Sequence, residues 1–133
     1  MALPRGLRNN NPGNIRLSST KWIGEIQPSK DPAFKQFKSM EYGYRAVLKL
    51  LKNYSIYHEC RTIEQIIARW APSSENNTKA YVTSVEKVSG INRNAIIDVD
   101  SEDQMCALTA AISQHENGVK ADMAVIRKAW EVL

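Results

Sequence analysis

Glu116 is the side chain of this sequence best placed for acid chemistry. It lies near the end of a predicted helix and follows Ile112 by four residues, so it falls on the stripe that packs inward. Gly118 is a natural C′ residue just beyond it, which places Glu116 in the last turn, at the negative end of the helix dipole. Partial burial and this position both favour the neutral acid, so the pattern predicts a proton donor.

Structural roles are the alternative for these residues. In this alternative, Glu116 has no catalytic role and caps the helix or forms an ion pair with a loop residue such as Lys120. His115 is adjacent to Glu116 and therefore faces another side of the helix, and His58 lies in an exposed link between helices. Neither histidine accompanies a serine or cysteine nucleophile motif, so a hydrolase triad is not predicted.

Length and composition indicate a single domain, residues 1–133, of an ordinary soluble globular protein. Hydrophobic residues make up 43% of the chain and charged residues 24%. The 18 Lys and Arg exceed the 14 Asp and Glu, giving a net charge of +4. This charge suits an anionic partner such as nucleic acid or a cell-wall polymer, and it equally suits simple solubility.

Several classes of site have no support in the sequence. Cys60 and Cys106 lie in separate helical regions without a CxxC spacing, so two buried free thiols are favoured over a disulfide, and neither a metal site nor a cofactor is expected. No apolar run reaches the length of a membrane span, and the N-terminus lacks the apolar core of a signal peptide. A monomer without a membrane span is expected.

A turn-rich N-terminus is followed by short strand-like segments. Residues 1–14 lack periodicity, and Asn11-Pro12-Gly13 predicts a tight turn. Segments rich in branched and aromatic residues follow at 15–17, 22–26 and 34–37. They predict an antiparallel hairpin or three-stranded sheet in a β lobe over about residues 14–38.

The apolar spacing becomes helical from Ser39 onward and predicts five helices. Capping boxes at Thr62 and Ser101 open two of them, and Pro72 and Gly90 each close one. Together with the β lobe, these helices predict an α+β, mostly helical domain. The apolar stripes are Val47, Leu50, Leu51 and Tyr54; Ile63, Ile66, Ile67 and Trp70; Tyr81, Val82, Val85 and Val88; Met105, Leu108 and Ile112; and Met123, Ile126 and Trp130.

A succession of short motifs runs from the Asn-rich segment into the helical part. Its members are Asn9-Asn10-Asn11-Pro12-Gly13-Asn14-Ile15-Arg16, Trp22-Ile23-Gly24-Glu25, Phe34-Lys35-Gln36-Phe37-Lys38-Ser39 and Asn77-Thr78-Lys79-Ala80-Tyr81-Val82. In this order they resemble the peptidoglycan-cleaving N-acetylglucosaminidases of the lysozyme-like superfamily, which have an Asn-rich strand, a Trp-x-Gly hairpin and a downstream Tyr-bearing helix. The resemblance covers residues 9 to about 88.

The position of the acid departs from that family. Its members carry the general-acid Glu on a helix before the Asn-rich strand, whereas only eight residues precede Asn9 here and none is acidic. The later helix that ends His115-Glu116-Asn117-Gly118 looks like the Glu helix of lytic transglycosylases. Because the termini of a compact domain often lie close together, we infer a circular permutation that places this helix beside the same hairpin.

The resemblance implies roles for three residues in catalysis. Glu116 matches the proton donor to the glycosidic oxygen, Glu25 in the hairpin is the candidate second acid, and Tyr81 is a hydrogen-bonding neighbour of the acid or sugar. The alternatives are an exposed strand position for Glu25 and a core aromatic for Tyr81. A carboxylate separation of about 5 Å would indicate a retaining enzyme and about 6.5–9.5 Å an inverting one, whereas a transglycosylase needs no second acid.

The resemblance also implies substrate-binding residues. The amides of Asn10, Asn11, Asn14 and Asn77 would bind hydroxyl and acetamido groups, and Trp22 would stack on a sugar. Local turn formation is the alternative for the asparagines, and core packing is the alternative for Trp22.

The sequence therefore predicts an enzyme that cleaves peptidoglycan glycan strands, as a muramidase, glucosaminidase or lytic transglycosylase. Its small size and the lack of a signal peptide suggest a phage or prophage endolysin or a virion-associated protein, cytoplasmic at synthesis and acting on the cell wall. The first alternative is a non-catalytic protein on the same fold that binds wall glycan or has a structural role in a phage. Nucleic-acid binding by Arg5, Arg8, Arg16 and Lys21 is disfavoured, because no helix has a basic face interleaved with aromatics.

Overall fold

The computed structural model of the chain describes residues 3–133. Within this range the fold is α+β and mostly helical, which confirms the predicted class. The five longer helices are the predicted ones, and α1 adds one turn in a segment too short to show periodicity. The elements are α1 (Arg5–Arg8), β1 (Glu25–Ile26), β2 (Gln36–Phe37), α2 (Met40–His58), α3 (Ile63–Trp70), α4 (Thr78–Ser89), α5 (Glu102–Asn117) and α6 (Met123–Glu131).

Side-chain caps begin α3 and α5 where the sequence predicts them. Thr62 forms a reciprocal capping box, in which its hydroxyl accepts from the Gln65 N–H at 3.2 Å and the Gln65 side chain accepts from the Thr62 N–H at 3.3 Å. The Ser101 hydroxyl accepts from the Gln104 N–H at 3.2 Å. The Gln104 side chain accepts from the Asp98 N–H instead of from Ser101, so only half of this box forms.

The β lobe is the smaller of the two predicted forms, a hairpin of β1 and β2. The strands pair antiparallel with Glu25 opposite Phe37, and the predicted first strand contributes an isolated bridge between Arg16 and Phe34. Because such short strands are not stable by themselves, the lobe depends on its contacts with the rest of the chain, including those of β2 with α2.

Helix α5 is the central helix of the fold and packs against α1, α2, α4 and α6. Its predicted stripe of Met105, Leu108 and Ile112 is fully buried. Each such side chain contributes about 1.5–3 kcal/mol on burial, so the stripe fixes the rotation of the helix and the direction of Glu116. The helix ends at Asn117 and is capped by Gly118, whose φ of 72° is left-handed and favours glycine.

Two smaller predictions concern the thiols and the membrane. Both cysteines are free, with Cys60 half-buried and Cys106 buried, and burial raises the pKa of the Cys106 thiol. Among residues 3–133, no helix is both long enough and apolar enough to cross a bilayer.

Candidate active site

The half-buried Glu116 carboxylate is held by two neutral hydrogen-bond donors from distant parts of the chain. The Asn14 amide donates to its Oε1 at 2.7 Å, and the Tyr81 hydroxyl donates to its Oε2 at 2.7 Å. Within the described range, Glu116 forms no ion pair with Lys120 or with another cation. The alternative of a loop ion pair is therefore not the arrangement found.

Tyr81 approaches the acid from α4, on the face that packs against α5, and is 1% exposed. Burial and the neighbouring Glu116 carboxylate raise the pKa of Tyr81 well above its ordinary value, so the hydroxyl keeps its proton and remains a donor. The exposed His115 ring stacks on the Tyr81 ring, with centroids 3.8 Å apart and planes tilted by 31°. This contact limits movement of the tyrosine ring.

Asn14 approaches the acid from the Asn-rich turn. Its φ of 50° is left-handed, a conformation that asparagine adopts more readily than most residues, and its N–H donates to the Asn11 carbonyl at 3.0 Å. The side chain of Asn117 donates to the Pro12 carbonyl at 2.9 Å and ties the end of α5 to this turn. The late helix and the early turn therefore meet.

Gly6 in α1 packs behind these amides and leaves no room for a side chain. A Cβ at this position would lie 2.5 Å from Asn117 Oδ1, 2.8 Å from the Asn11 carbonyl oxygen and 3.1 Å from Asn14 Oδ1. The two amide oxygens, Oδ1 of Asn14 and of Asn117, are buried and accept no hydrogen bond from the described chain, so the amides are oriented by what their amino groups donate to. The short helix α1 thus closes the rear of the site.

Asn10 and Asn11 use their amides to bind the backbone. The Asn11 amino group donates to the carbonyls of Ile15 and Lys35 at 2.9 Å each, and Asn11 Oδ1 accepts from the Ile15 N–H at 2.8 Å. The Asn10 amino group donates to the Phe37 carbonyl at 3.2 Å. Neither residue lines the cleft beside Glu116, and their amides bind backbone of the turn itself and of the β lobe.

An open cleft of about 330 Å³ is lined by Glu116 on one side and by aromatic rings on another. Trp70 and Tyr54 meet edge to face, with ring centroids 5.9 Å apart. The Trp70 ring packs on Gly13, where a Cβ would lie 2.6 Å from Cζ2 of the indole. This volume lies at the lower end of the range for ligand pockets. Further lining residues are Asn14, Arg16, Phe34, Arg69, Glu75 and Asn76.

Glu25 lies in a buried ion pair and does not face this cleft. Its side chain is 4% exposed and accepts from Lys35 Nζ at 3.0 and 3.1 Å, while the Lys35 side chain is 1% exposed. Lys35 also donates to the Thr20 carbonyl at 2.7 Å, and the Glu25 carboxylate accepts from the Trp22 N–H at 3.1 Å. The structure thus corrects both predicted positions of Glu25, because the carboxylate is neither exposed nor groove-facing and holds the hairpin together.

Two further predicted binding residues also lie away from the cleft lining. Trp22 packs partly buried against the core, which is the alternative considered for it. Asn77 caps α4, and its side chain accepts from the Ala80 N–H at 3.1 Å, whereas its neighbour Asn76 lines the cleft. The structure therefore brings together Glu116, Tyr81 and Asn14, and it does not bring Glu25, Asn10, Asn11, Trp22 or Asn77 to them.

Sequence reasoning missed the aromatic and charged walls of the cleft. Tyr54 and Trp70 belong to predicted inward stripes, yet both are only partly buried. The position of Trp70 as the last residue of α3, two residues before Pro72, is the signal that could have distinguished it from a core residue. Glu75 and Arg16, whose side chains lie 3.4 Å apart across the cleft wall, belong to irregular segments in which periodicity gives no information.

The arrangement supports proton transfer at a single carboxyl group. Each oxygen of Glu116 accepts one hydrogen bond and keeps a second lone pair. A proton bound at that lone pair can be donated to a bound oxygen atom. Glu75 is a further carboxylate of the same cleft, with a side chain 54% exposed. Residues 3–133 contain no cluster of three His, Cys, Asp or Glu side chains that could hold a metal ion.

The fold and site define a small, mostly helical α+β protein in which two neutral donors hold the Glu116 carboxyl group at an aromatic cleft. No protein-family model matches the chain. Protein P5 of Pseudoalteromonas phage PM2 is 40% identical to it over 117 residues, which cover 86% of this chain and 71% of the phage protein. The chain therefore belongs to the family of this phage protein, in agreement with the predicted phage association.

Proposed function

We propose that the protein cleaves the glycan strands of peptidoglycan, with Glu116 donating a proton to the glycosidic oxygen. The observation that carries this proposal is the Glu116 carboxyl group, held by Asn14 and Tyr81 at the wall of the cleft. A general acid must be fixed within hydrogen-bond reach of the leaving oxygen, and two short hydrogen bonds restrict this carboxyl group. The resemblance to wall-cleaving glycosidases suggests the substrate, and the kinship with a phage protein suggests a setting in which a cell wall must be opened.

In this mechanism a sugar ring stacks on Trp70 while the scissile bond lies beside Glu116. Proton donation by Glu116 releases the leaving sugar as positive charge develops at the anomeric carbon. Either water or a hydroxyl group of the substrate then attacks that carbon. Glu75 is the cleft carboxylate that could orient water in the first route, whereas the second route needs no further acid.

Clearing of a purified peptidoglycan suspension tests the proposal. Glu116→Gln keeps the size of the side chain but removes the acid, and we expect clearing to slow by about 10²–10⁴-fold, the usual contribution of general acid catalysis. Glu131→Gln is the matched control, because Glu131 is exposed on α6 and makes no ion pair within residues 3–133. Clearing by Glu116→Gln at the wild-type rate would remove this residue from the mechanism.

Absence of clearing by the wild-type protein would favour the alternative of a wall-binding or structural phage protein, which co-sedimentation with the wall would then test.

Where clearing occurs, mass spectrometry of the products distinguishes the two routes. A 1,6-anhydro end indicates attack by the substrate's own hydroxyl group, and a reducing end indicates hydrolysis. Glu75→Gln should slow cleavage only in the hydrolytic case. The proposed setting is a phage endolysin or a virion-associated protein that acts on the wall.

A further inference from the structure

Arg69 is a cation of the cleft that has no carboxylate partner among residues 3–133. It lies near the end of α3, is exposed and lines the same cleft as Glu116. Within the described part of the chain, its guanidinium forms no ion pair, and its polar side-chain contact is with His58 Nε2 at 3.4 Å. Arg16, the other arginine of the cleft, is already paired with Glu75 at 3.4 Å. Arg69 therefore presents a cleft cation that forms no ion pair within residues 3–133.

Aromatic stacking holds this guanidinium in place. Its Cζ lies 5.3 Å from the centroid of Tyr54, and the Tyr54 ring is in turn supported by the edge-to-face contact with Trp70. This contact restricts the rotation of a flexible side chain. One Nη nitrogen contacts His58, and the guanidinium keeps further N–H donors with which it can bind a carboxylate. A carboxylate is the group that these donors bind best among those carried by cell-wall glycans.

A continuous surface joins this charge to the acid. Trp70 packs on Gly13, and the next residue, Asn14, donates to Glu116. Glu116, Trp70 and Arg69 all line this cleft, so a glycan bound beside Glu116 and Trp70 would occupy the space that Arg69 also borders.

We propose that Arg69 forms a carboxylate-binding subsite of the cleft, so that the preferred substrate is a glycan whose side groups carry free carboxylates. This inference rests on the proposed glycan cleavage and deepens it. The carboxylate can come from the attached peptide or, on a muramic acid that carries no peptide, from the lactyl group, which is otherwise held in the amide bond to the peptide. Both sources present the same chemistry to the guanidinium.

Cleavage kinetics on three forms of one wall preparation test the subsite. The forms are untreated peptidoglycan, peptidoglycan whose carboxylates have been converted to methylamides by carbodiimide and methylamine, and strands stripped of peptide by an amidase, which frees the lactyl carboxylate as it removes the peptide carboxylates. Loss of a charge-assisted bidentate contact should lower kcat/KM about tenfold or more. Relative to wild type on the untreated wall, we expect this decrease in kcat/KM for wild type on the amidated wall and for Arg69→Gln on the untreated wall. Amidation should cause no further decrease for Arg69→Gln.

Arg61→Gln is the matched control for net charge. Arg61 is exposed just before α3, lies outside the cleft lining and makes no side-chain hydrogen bond or ion pair within residues 3–133. It should behave as wild type on all three substrates, whereas Arg69→Lys should recover only part of the preference because it lacks the planar guanidinium. Arg69 dependence that disappears on stripped strands assigns the carboxylate to the peptide, and dependence that persists there shows that the freed lactyl carboxylate also binds Arg69.

Equal activity of wild type and Arg69→Gln on the untreated wall would overturn the subsite. So would an Arg69→Gln rate that lies below that of wild type by the same factor on the amidated wall as on the untreated wall, since that result indicates a general structural defect. Loss of cleavage by Glu116→Gln on the untreated wall tests the proposed function separately.

Discussion

Replacing Glu25 by alanine is expected to destabilise the fold rather than to remove a catalytic group. The Lys35 side chain is 1% exposed in the wild-type structure. After the substitution its ammonium would keep only two hydrogen-bond acceptors, the carbonyls of Thr20 at 2.7 Å and Ser18 at 3.4 Å. Removing one member of a buried ion pair costs about 3–5 kcal/mol, because the remaining charge stays buried without compensation. A domain of this kind is stable by only about 5–15 kcal/mol, so the loss is a large fraction of the total.

The expected change is readily measured. An unfolding entropy of about 2.1 cal/mol/K per residue gives roughly 0.28 kcal/mol/K for 133 residues, so Tm should fall by about 10–18 °C. Urea and thermal unfolding followed by circular dichroism at neutral pH would measure the free energy of unfolding. Activity should be compared well below the Tm of each variant and per folded molecule.

A double replacement separates the charge from the packing. Glu25→Leu with Lys35→Met removes both charges, and we expect it to cost much less than Glu25→Ala, since no unpaired charge remains. The reasoning would be refuted if Glu25→Ala unfolded like wild type and yet lost wall clearing. That pattern would instead support the catalytic role that the hairpin resemblance implies.

Three further predictions concern the supports of the site. Gly6→Ala should cost about 1–3 kcal/mol in urea unfolding, because its Cβ would overlap Asn117 Oδ1 at 2.5 Å; an unchanged midpoint would contradict this packing. Folding raises the pKa of Tyr81, so its contribution to stability is complete below about pH 10 and is lost as the pH rises above that value. Tyr81→Phe should therefore lose less stability than wild type between pH 9 and 11 in urea unfolding, and parallel curves would count against the raised pKa. Ser101→Ala should cost about 1 kcal/mol and increase amide hydrogen exchange in the first turn of α5, since the hydroxyl that caps the Gln104 N–H is removed; protection equal to wild type would show that the cap contributes little.

The amino-acid sequence by itself determined the elements of the fold and the place of Glu116 on one of them. Helix periods, the caps at Thr62 and Ser101 and the glycine at 118 act between residues no more than a few positions apart, so they can be identified without knowledge of the rest of the chain. The same local information placed Glu116 in the last turn of a helix whose stripe faces inward.

Only the tertiary structure decided which side chains surround that acid. The bond from Asn14 to Glu116 joins residues 102 positions apart, and the cleft opposite them is formed by Trp70 from another helix. The inward orientation of Lys35 converts Glu25 from a candidate acid into a buried structural partner. Lysine is rarely buried, so no local pattern predicts such a pair, and its formation depends on how distant segments pack.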